Sequence, residues 1–240
     1  MLFNSPISEA KADLIINILN VKSTGKVIDL GCGDGEFLTR VHKKSGAECM
    51  GLDIDPSCIT LAEKKLGHLG SAENLSFRLA DIQDTHLEKN TYELAICIGS
   101  THAFGQGKVA YSNALMHMSK LVKPNGLILV GEGYWKKKPA QEYLDFIGDP
   151  VGVYNSHEKN IQLAESLGLI VLYAAISNQD EWDHFEWCFK MKAQRAVIAE
   201  PDNEKARKKL NGVQQWNKYY RKFGRTTMGF GFYLFMKPDE

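Results

Sequence analysis

Short apolar runs alternate with amphipathic stretches along most of the chain. The run Leu94-Ala-Ile-Cys-Ile98 is apolar at every position, which is typical of a strand that helices cover on both faces. After Ser8, by contrast, apolar side chains recur at helical spacing as far as Leu19, which predicts an amphipathic helix. The regular alternation of the two patterns predicts βαβ units and a mostly parallel sheet, an α/β fold.

The boundaries of the predicted elements follow from where each pattern starts and stops. Apolar runs predict strands at residues 26–30, 49–53, 75–79, 92–98, 127–130, 169–174 and 229–236. Amphipathic stretches predict helices at residues 8–19, 36–44, 56–66, 109–122, 156–167, 180–199 and 203–223. The segment Lys123-Pro-Asn-Gly126 predicts a turn before the fifth strand.

Two long helices separate the sixth predicted strand from the last one. A connection of about fifty residues is too long for a simple loop, so we interpret residues 177–225 as an inserted helical lid. The length of 240 residues suits a single domain, 1–240, whose core comprises about residues 8–176 and 226–237.

Net charge and composition are those of an ordinary globular protein. Lys and Arg number 29 and Asp and Glu also number 29, so whole-molecule charge would hold the protein to neither nucleic acid nor a membrane. Residues 190–225 nevertheless carry 11 basic and 3 acidic side chains. Seven basic positions of the second lid helix and the turn after it could form a phosphate-binding face, namely Lys205, Arg207, Lys208, Lys209, Arg221, Lys222 and Arg225.

Cysteine usage indicates a reducing compartment. The five cysteines are scattered and form no Cys-x-x-Cys pair, which favours reduced thiols in a cytoplasmic protein. We expect no secretory signal, since the first residues lack a basic region followed by an apolar stretch. We also expect no membrane span, because no apolar run is long enough, and no metal site, because the histidines show no ligand spacing.

The strongest chemical motif is the glycine loop Gly31-Cys-Gly-Asp-Gly35 after the first strand. Ligands of open α/β sheets bind at the carboxyl ends of the strands, where this loop lies. The dinucleotide fingerprint requires glycine at position 36, which here is Glu36, and a pyrophosphate would meet the carboxylates of Asp29, Asp34 and Glu36. A cofactor that carries an ammonium and a sulfonium, such as S-adenosylmethionine, suits this loop better than NAD.

Two further acids end the next two strands. Asp53 follows Gly31 by 22 residues, about where a ribose-binding carboxylate is expected. Asp53 as a helix cap is the alternative, although Asp55 already supplies that cap. Asp81 is predicted to accept a hydrogen bond from the adenine amino group while the Ile82 amide donates to the ring, and a plain turn residue is its alternative.

These segments resemble class I S-adenosylmethionine-dependent methyltransferases. The resemblance rests on residues 27–35, 51–53, 80–81 and 121–129 and extends over roughly residues 8–175. It implies a Rossmann-like, seven-stranded sheet whose last strand runs antiparallel beside the fifth and sixth. The cofactor-binding residues predicted from the loop and the resemblance are Asp29, Gly31, Cys32, Gly33, Asp53, Ile54, Asp81, Ile82, Ile98 and Gly99.

Candidates for acting on the acceptor follow strands four and five and lie on the lid. Methyl transfer from a sulfonium is an in-line displacement, which needs a base only if the acceptor must lose a proton. His102, Glu132 and Glu186 are the candidate catalytic residues. Each has an alternative role. His102 could be a structural histidine, Glu132 could bind a loop amide or an ammonium group of the acceptor, and Glu186 could lie on the lid without contacting the acceptor.

Aromatic side chains are the candidates for binding the acceptor. Tyr134 and Trp135 are predicted to follow strand five and to open onto the cleft, where they would stack on a planar acceptor or shield a cationic one. Trp182 on the lid is a further candidate for binding the acceptor. It falls at helical spacing with Phe185, Phe189 and Ala193, a stripe that favours packing over chemistry. Segments 131–135 and 180–186 are also similar to a bacterial subgroup of methyltransferases whose substrates are unassigned.

The sequence therefore predicts a methyltransferase acting on a small-molecule acceptor, without a metal. An RNA methyltransferase that uses the basic lid residues is one alternative, and a non-catalytic S-adenosyl ligand-binding module is another. A nicotinamide-dependent oxidoreductase is disfavoured by Glu36 and the acidic loop.

Overall fold

The strands of the computed structural model, which describes residues 2–68, 73–107, 109–148 and 153–239, form one sheet within those ranges. They are β1 (Lys26–Leu30), β2 (Glu48–Asp53), β3 (Leu75–Leu79), β4 (Tyr92–Ile98), β5 (Val122–Trp135), β6 (Ile170–Ile176) and β7 (Met228–Met236). Their order is β3-β2-β1-β4-β5-β7-β6, and β7 runs antiparallel to β5 and to β6. The predicted sheet and the direction of its last strand are confirmed.

The helices, apart from the fifth, begin close to where the sequence predicts them. They are α1 (Glu9–Leu19), α2 (Glu36–Ser45), α3 (Pro56–His68), α4 (Val109–Leu121), α5 (Gln141–Ile147), α6 (His157–Ser166), α7 (Gln179–Ala199) and α8 (Glu204–Tyr219). A 3-10 turn, Thr101–Phe104, follows β4. The chain leaves α8 through a π-helical turn, Tyr220–Gly224, and a last helical turn, Arg225–Thr227. Side-chain caps at Ser8, Ser156, Asn178 and Asn203 fix four of the starts.

Two apolar cores lie on opposite faces of the sheet. In β4, Leu94 and Ile96 pack into one core, while Ala95 and Cys97 pack into the other. Helices α1, α2 and α3 cover the first face, and α4 and α6 cover the second. Because successive side chains of a strand point to opposite faces, burial on both sides requires the continuously apolar runs seen in the sequence.

The bounds of β5 differ from the prediction at both ends. The strand begins at Val122, which pairs with Tyr92, so the predicted turn lies inside the strand, with Asn125 at a φ of 60°. At the other end β5 continues to Trp135, because β7 pairs with it along that whole length. The prediction that Tyr134 and Trp135 follow the strand is therefore wrong.

The lid helices α7 and α8 lie between β6 and β7 and contact the rest of the protein through both polar and aromatic side chains. The Glu181 carboxylate accepts hydrogen bonds from the Ser8 backbone and hydroxyl and pairs with the Lys11 ammonium, which joins α7 to α1. The short helix α5, which the sequence analysis missed, packs against α8 through parallel Phe146 and Tyr219 rings with centroids 3.7 Å apart.

No helix in the described ranges combines the length and the hydropathy needed to cross a membrane.

We expect Gly229→Ala to lower the free energy of unfolding by about 1–3 kcal/mol, because the pairing of β5 with β7 leaves no room for a side chain there. A Cβ at Gly229 would lie 2.2 Å from Cζ of Tyr134. Gly212→Ala in α8, where a Cβ meets nothing within 4 Å, is the matched control and should raise the same quantity by roughly 0.5–1 kcal/mol. Urea unfolding measures both, and equal midpoints for the Gly229 variant and the parent would contradict this packing.

Candidate active site

The glycine loop after β1 adopts a conformation that favours glycine at three positions. Gly31, Gly33 and Gly35 have φ values of 87°, 56° and 73°. At Gly31 a Cβ would also lie 2.3 Å from Cβ of Ser100. The backbone amides of Gly31 and Cys32 donate to the Leu52 carbonyl at 2.8 and 2.9 Å, which ties the loop to the end of β2. The loop is therefore a fixed, narrow cradle open to a ligand.

Asp53 is held at the edge of this cradle by two backbone amides. Its Oδ2 accepts from the Gly33 amide at 2.7 Å, and its Oδ1 accepts from the Asp55 amide at 2.9 Å. A carboxylate offers about four acceptor sites, so it retains capacity for ligand hydroxyls. Asp29 lies beside it, and burial together with the Asp53 charge raises the pKa of Asp29 to about 8.

A cavity of about 230 Å³ lies along the loop, and we call it the loop cavity. Most of the predicted cofactor residues line it, namely Asp29, Gly31, Cys32, Gly33, Asp53, Ile98 and Gly99.

Three predicted cofactor residues lie outside the lining of the loop cavity. Ile54 is exposed, Ile82 packs into the core beneath α4, and Asp81 is exposed and accepts from the Gln83 amide at 2.9 Å. The backbone next to Asp81 nevertheless contacts the site, because the amide of its neighbour Ala80 donates to the Asp53 carbonyl at 2.9 Å.

The negative character of the loop cavity differs from what the sequence predicts. Lys65 Nζ lies 2.9 Å from an Asp34 oxygen and 3.1 Å from a Glu36 oxygen, and Arg40 Nε lies 2.9 Å from the other Glu36 oxygen. These ion pairs compensate two of the three carboxylates on which the sequence argument rests. The third of these carboxylates, Asp29, is buried, and its pKa is raised to about 8. The acid left to face a ligand is therefore chiefly Asp53 at the end of β2, which the argument from the loop did not include.

A larger cavity of about 700 Å³ lies under the lid, and we call it the lid cavity. It is bounded by the end of β4, by β5 and β7, and by α7 and α8. Asn4, Ser5 and Gly99 line both cavities, so the two meet at the end of β4 beneath the N-terminal segment. Sequence analysis missed this segment, because it contains neither a charged group nor a motif.

Glu132 lies in the wall of the lid cavity that the sheet provides. Its side chain is buried, accepts from the Gly133 amide at 3.0 Å, and accepts a hydrogen bond from the Thr101 hydroxyl. Burial raises the pKa of Glu132 to about 7 against the opposing effect of these hydrogen bonds. Thr101, which the sequence analysis passed over, is thus the residue that orients this carboxyl.

Glu186 lies in the opposite wall, on lid helix α7. It is buried, and its Oε2 accepts from the Trp216 indole nitrogen of α8 at 2.9 Å. Burial raises the pKa of Glu186 to about 7, with the indole hydrogen bond acting in the opposite direction. The structure therefore brings two carboxyl groups with similar pKa values into one cavity from positions 54 residues apart in the sequence.

The remaining predicted residues divide between the lid cavity and the layer behind it. His102 and Trp182 line the cavity. Tyr134 and Trp135 are not part of its lining in the described residues. Tyr134 packs on His157 with ring centroids 5.3 Å apart, and Trp135 packs edge-on against Tyr143 and Tyr154, which do line the cavity.

Sequence analysis missed most of the aromatic lining. The rings that line the lid cavity are Tyr111, Tyr143, Tyr154, Trp182, Phe185, Trp216, Tyr220 and Phe230. A signal was available for two of them, since Trp216 and Tyr220 stand four residues apart in an otherwise strongly basic helix. Trp182 and Phe185 belong to the helical stripe of α7, whereas Tyr111, Tyr143, Tyr154 and Phe230 come from separate elements and share no sequence pattern.

Several basic residues of the lid are paired with neighbouring acids. Lys222 Nζ lies 2.7 Å from a Glu142 oxygen, and Arg225 forms an ion pair with Asp183 at 2.8 Å. These contacts hold the lid to α5 and to itself. In the described parts of the chain, no three His, Cys, Asp or Glu side chains come together in a way that could hold a metal ion.

Comparison with known proteins identifies related sequences and folds. A family model described as a methyltransferase domain matches residues 21–226. The Escherichia coli protein YjhP is 25% identical to this chain over 233 residues, which cover 95% of this chain and 91% of YjhP. The X-ray structure of YjhP matches with a TM-score of 0.84, and the match covers 98% of this chain and 95% of the YjhP chain. A methyltransferase structure from Thiobacillus denitrificans, described as S-adenosylmethionine-dependent and in complex with S-adenosylhomocysteine, has a TM-score of 0.86 at 21% identity, covering 98% of this chain and 94% of that one.

We expect Glu186→Gln to change how stability depends on pH. The pKa of Glu186 rises from 4.5 to about 7 on folding, so its contribution to stability is present below pH 4.5 and is lost as the pH rises through 7. Between pH 5 and pH 8 the parent should lose about 2 kcal/mol of unfolding free energy that the glutamine variant keeps. Glu165→Gln, at an exposed position on α6, is the control, and parallel pH profiles for parent and Glu186→Gln would contradict the burial argument.

Proposed function

The chain belongs to the methyltransferase-domain family, and from this premise we propose that it transfers a methyl group from S-adenosylmethionine to a small-molecule acceptor held in the lid cavity. One observation carries the proposal: the loop cavity and the lid cavity meet at Gly99. A methyl donor bound along the glycine loop would thus face an acceptor bound beneath the lid, as in-line displacement requires.

The residues around the loop fit this cofactor. Asp53 retains acceptor capacity for the ribose hydroxyls, and the left-handed glycines leave the loop backbone without side chains on the ligand side. Asp29 and the Ile98–Gly99 backbone would hold the methionine part of the molecule. When bound, the cofactor supplies an electrophilic methyl group on a sulfonium. The bound S-adenosylhomocysteine in the Thiobacillus denitrificans structure supports this choice.

The chain's own contribution to the reaction is alignment, exclusion of water and acceptance of a proton. Trp182, Phe185 and Phe230 close the lid cavity with apolar surface, which limits the access of water to the transfer point. Glu132 and Glu186 have pKa values near neutrality, where a carboxylate can accept a proton and release it again. His102 lines the same cavity and is the third candidate base.

Features of the lid favour a small acceptor over RNA. The candidate acceptor site lies between the lid helices and the sheet, and several lid cations are engaged with Glu142 and Asp183. We propose a cytoplasmic location, which the free thiols of all five cysteines support.

Calorimetric titration with S-adenosylmethionine, S-adenosylhomocysteine and NAD tests the cofactor directly. We expect saturable binding of the two adenosyl sulfur ligands, since the site presents a carboxylate to the ribose and lacks the third fingerprint glycine. NAD should give no signal. Binding of NAD with the other two ligands silent would overturn the proposed function.

We expect Asp53→Ala to weaken the binding of S-adenosylhomocysteine roughly 10- to 100-fold, because it removes charge-assisted acceptors for the ribose. The Gly33 amide also loses its partner, so the cradle becomes less rigid. Asp84→Ala, an exposed acid beyond β3, should bind as tightly as the parent. Circular dichroism verifies that both variants are folded, and unchanged affinity in a folded Asp53→Ala protein would remove Asp53 from the site.

A further inference from the structure

We propose that the acceptor is an amine, which binds as an ammonium cation between Glu132 and Glu186 in the lid cavity and is methylated on its nitrogen. This inference rests on the proposed function and specifies its substrate class.

The charges of the lining are the first support. Among the described residues that line the lid cavity, Glu132 and Glu186 are acidic and none is Lys or Arg. A phosphate or carboxylate on the acceptor would find no Lys or Arg in the described lining, where His102 is the basic side chain, and would face two acids. A cation, by contrast, would be attracted from both the sheet wall and the lid wall.

The hydrogen bonds of the two acids are the second support. Glu132 accepts from the Thr101 hydroxyl and the Gly133 amide, and Glu186 accepts from the Trp216 indole. Each of these donors is neutral, so neither buried carboxylate has a cationic partner among the described residues. Burying a charge is costly unless it is paired, and a bound ammonium would provide the missing counter-charge.

The aromatic walls are the third support. Trp182 and Tyr220 lie nearly parallel, with ring centroids 6.3 Å apart and an interplanar angle of 22°. Phe185 packs edge-on against Trp182. The faces of such rings attract cations and cover the apolar part of an organic amine at the same time.

The chemistry of nitrogen methylation balances with these residues. One carboxylate takes a proton from the ammonium, which leaves a neutral amine with a free lone pair. That lone pair forms the new N–C bond to the methyl group while the S–C bond breaks and its electron pair stays on sulfur. The product leaves as a methylated ammonium, and the carboxylic acid returns its proton to water.

The test is calorimetry on protein saturated with S-adenosylhomocysteine, using probes matched in shape. Phenethylamine is the cationic probe, 2-phenylethanol is its neutral analogue and 3-phenylpropanoate is its anionic analogue. We expect phenethylamine to bind at least about tenfold more tightly than either analogue. Glu132→Gln and Glu186→Gln should each weaken phenethylamine about tenfold and leave 2-phenylethanol unchanged, because each removes a charge but keeps the side-chain shape.

The controls separate this inference from the function on which it rests. Glu165→Gln should bind every probe as the parent does, and both cavity variants should retain S-adenosylhomocysteine affinity. Three results obtained while S-adenosylhomocysteine binds would show that the amine assignment is wrong and leave the methyltransferase assignment standing. They are that phenethylamine does not bind, that it binds no more tightly than its analogues, and that both variants bind it as tightly as the parent does. Failure of the parent to bind S-adenosylhomocysteine would instead count against the proposed function.

Discussion

The antiparallel insertion of β7 between β5 and β6 is the constraint on which the site depends. β6 ends, and β7 begins, at the edge of the sheet where the parallel strands have their carboxyl ends. A segment that connects them must therefore start and finish at the same edge of the sheet as the glycine loop. In this chain that segment forms α7 and α8, which line the lid cavity at this edge.

The same strand pairing shapes the wall of the lid cavity. Along β5 and β7, glycines stand opposite large side chains: Gly131 faces Phe232, Gly133 faces Phe230, and Tyr134 faces Gly229. This complementarity lets the strands remain paired as far as Trp135 despite the low strand propensity of glycine. The extended strand fixes Glu132 in the sheet wall rather than in a loop, which gives this buried carboxyl a rigid support.

Electrostatic compensation distinguishes the two cavities. Around the loop cavity, Lys65 and Arg40 pair with Asp34 and Glu36, and Asp53 is fixed by backbone amides. In the lid cavity, the donors to the two buried acids are all neutral within the part of the chain that the structure describes. Charges that serve the architecture are thus paired within the chain, while those facing the lid cavity are available to a ligand.

Local pattern alone determined the succession of the strands and of the helices other than α5, the position of the glycine loop and the acid that ends β2. The cause is physical: strands buried on both faces must be apolar throughout, and tight left-handed turns favour glycine. Only the tertiary structure decided that Asp34 and Glu36 are compensated, that β5 continues to Trp135, and that Glu132 faces the same cavity as Glu186. Those facts depend on contacts between residues far apart in sequence, such as the indole of Trp216 with Glu186, which periodicity and spacing do not encode.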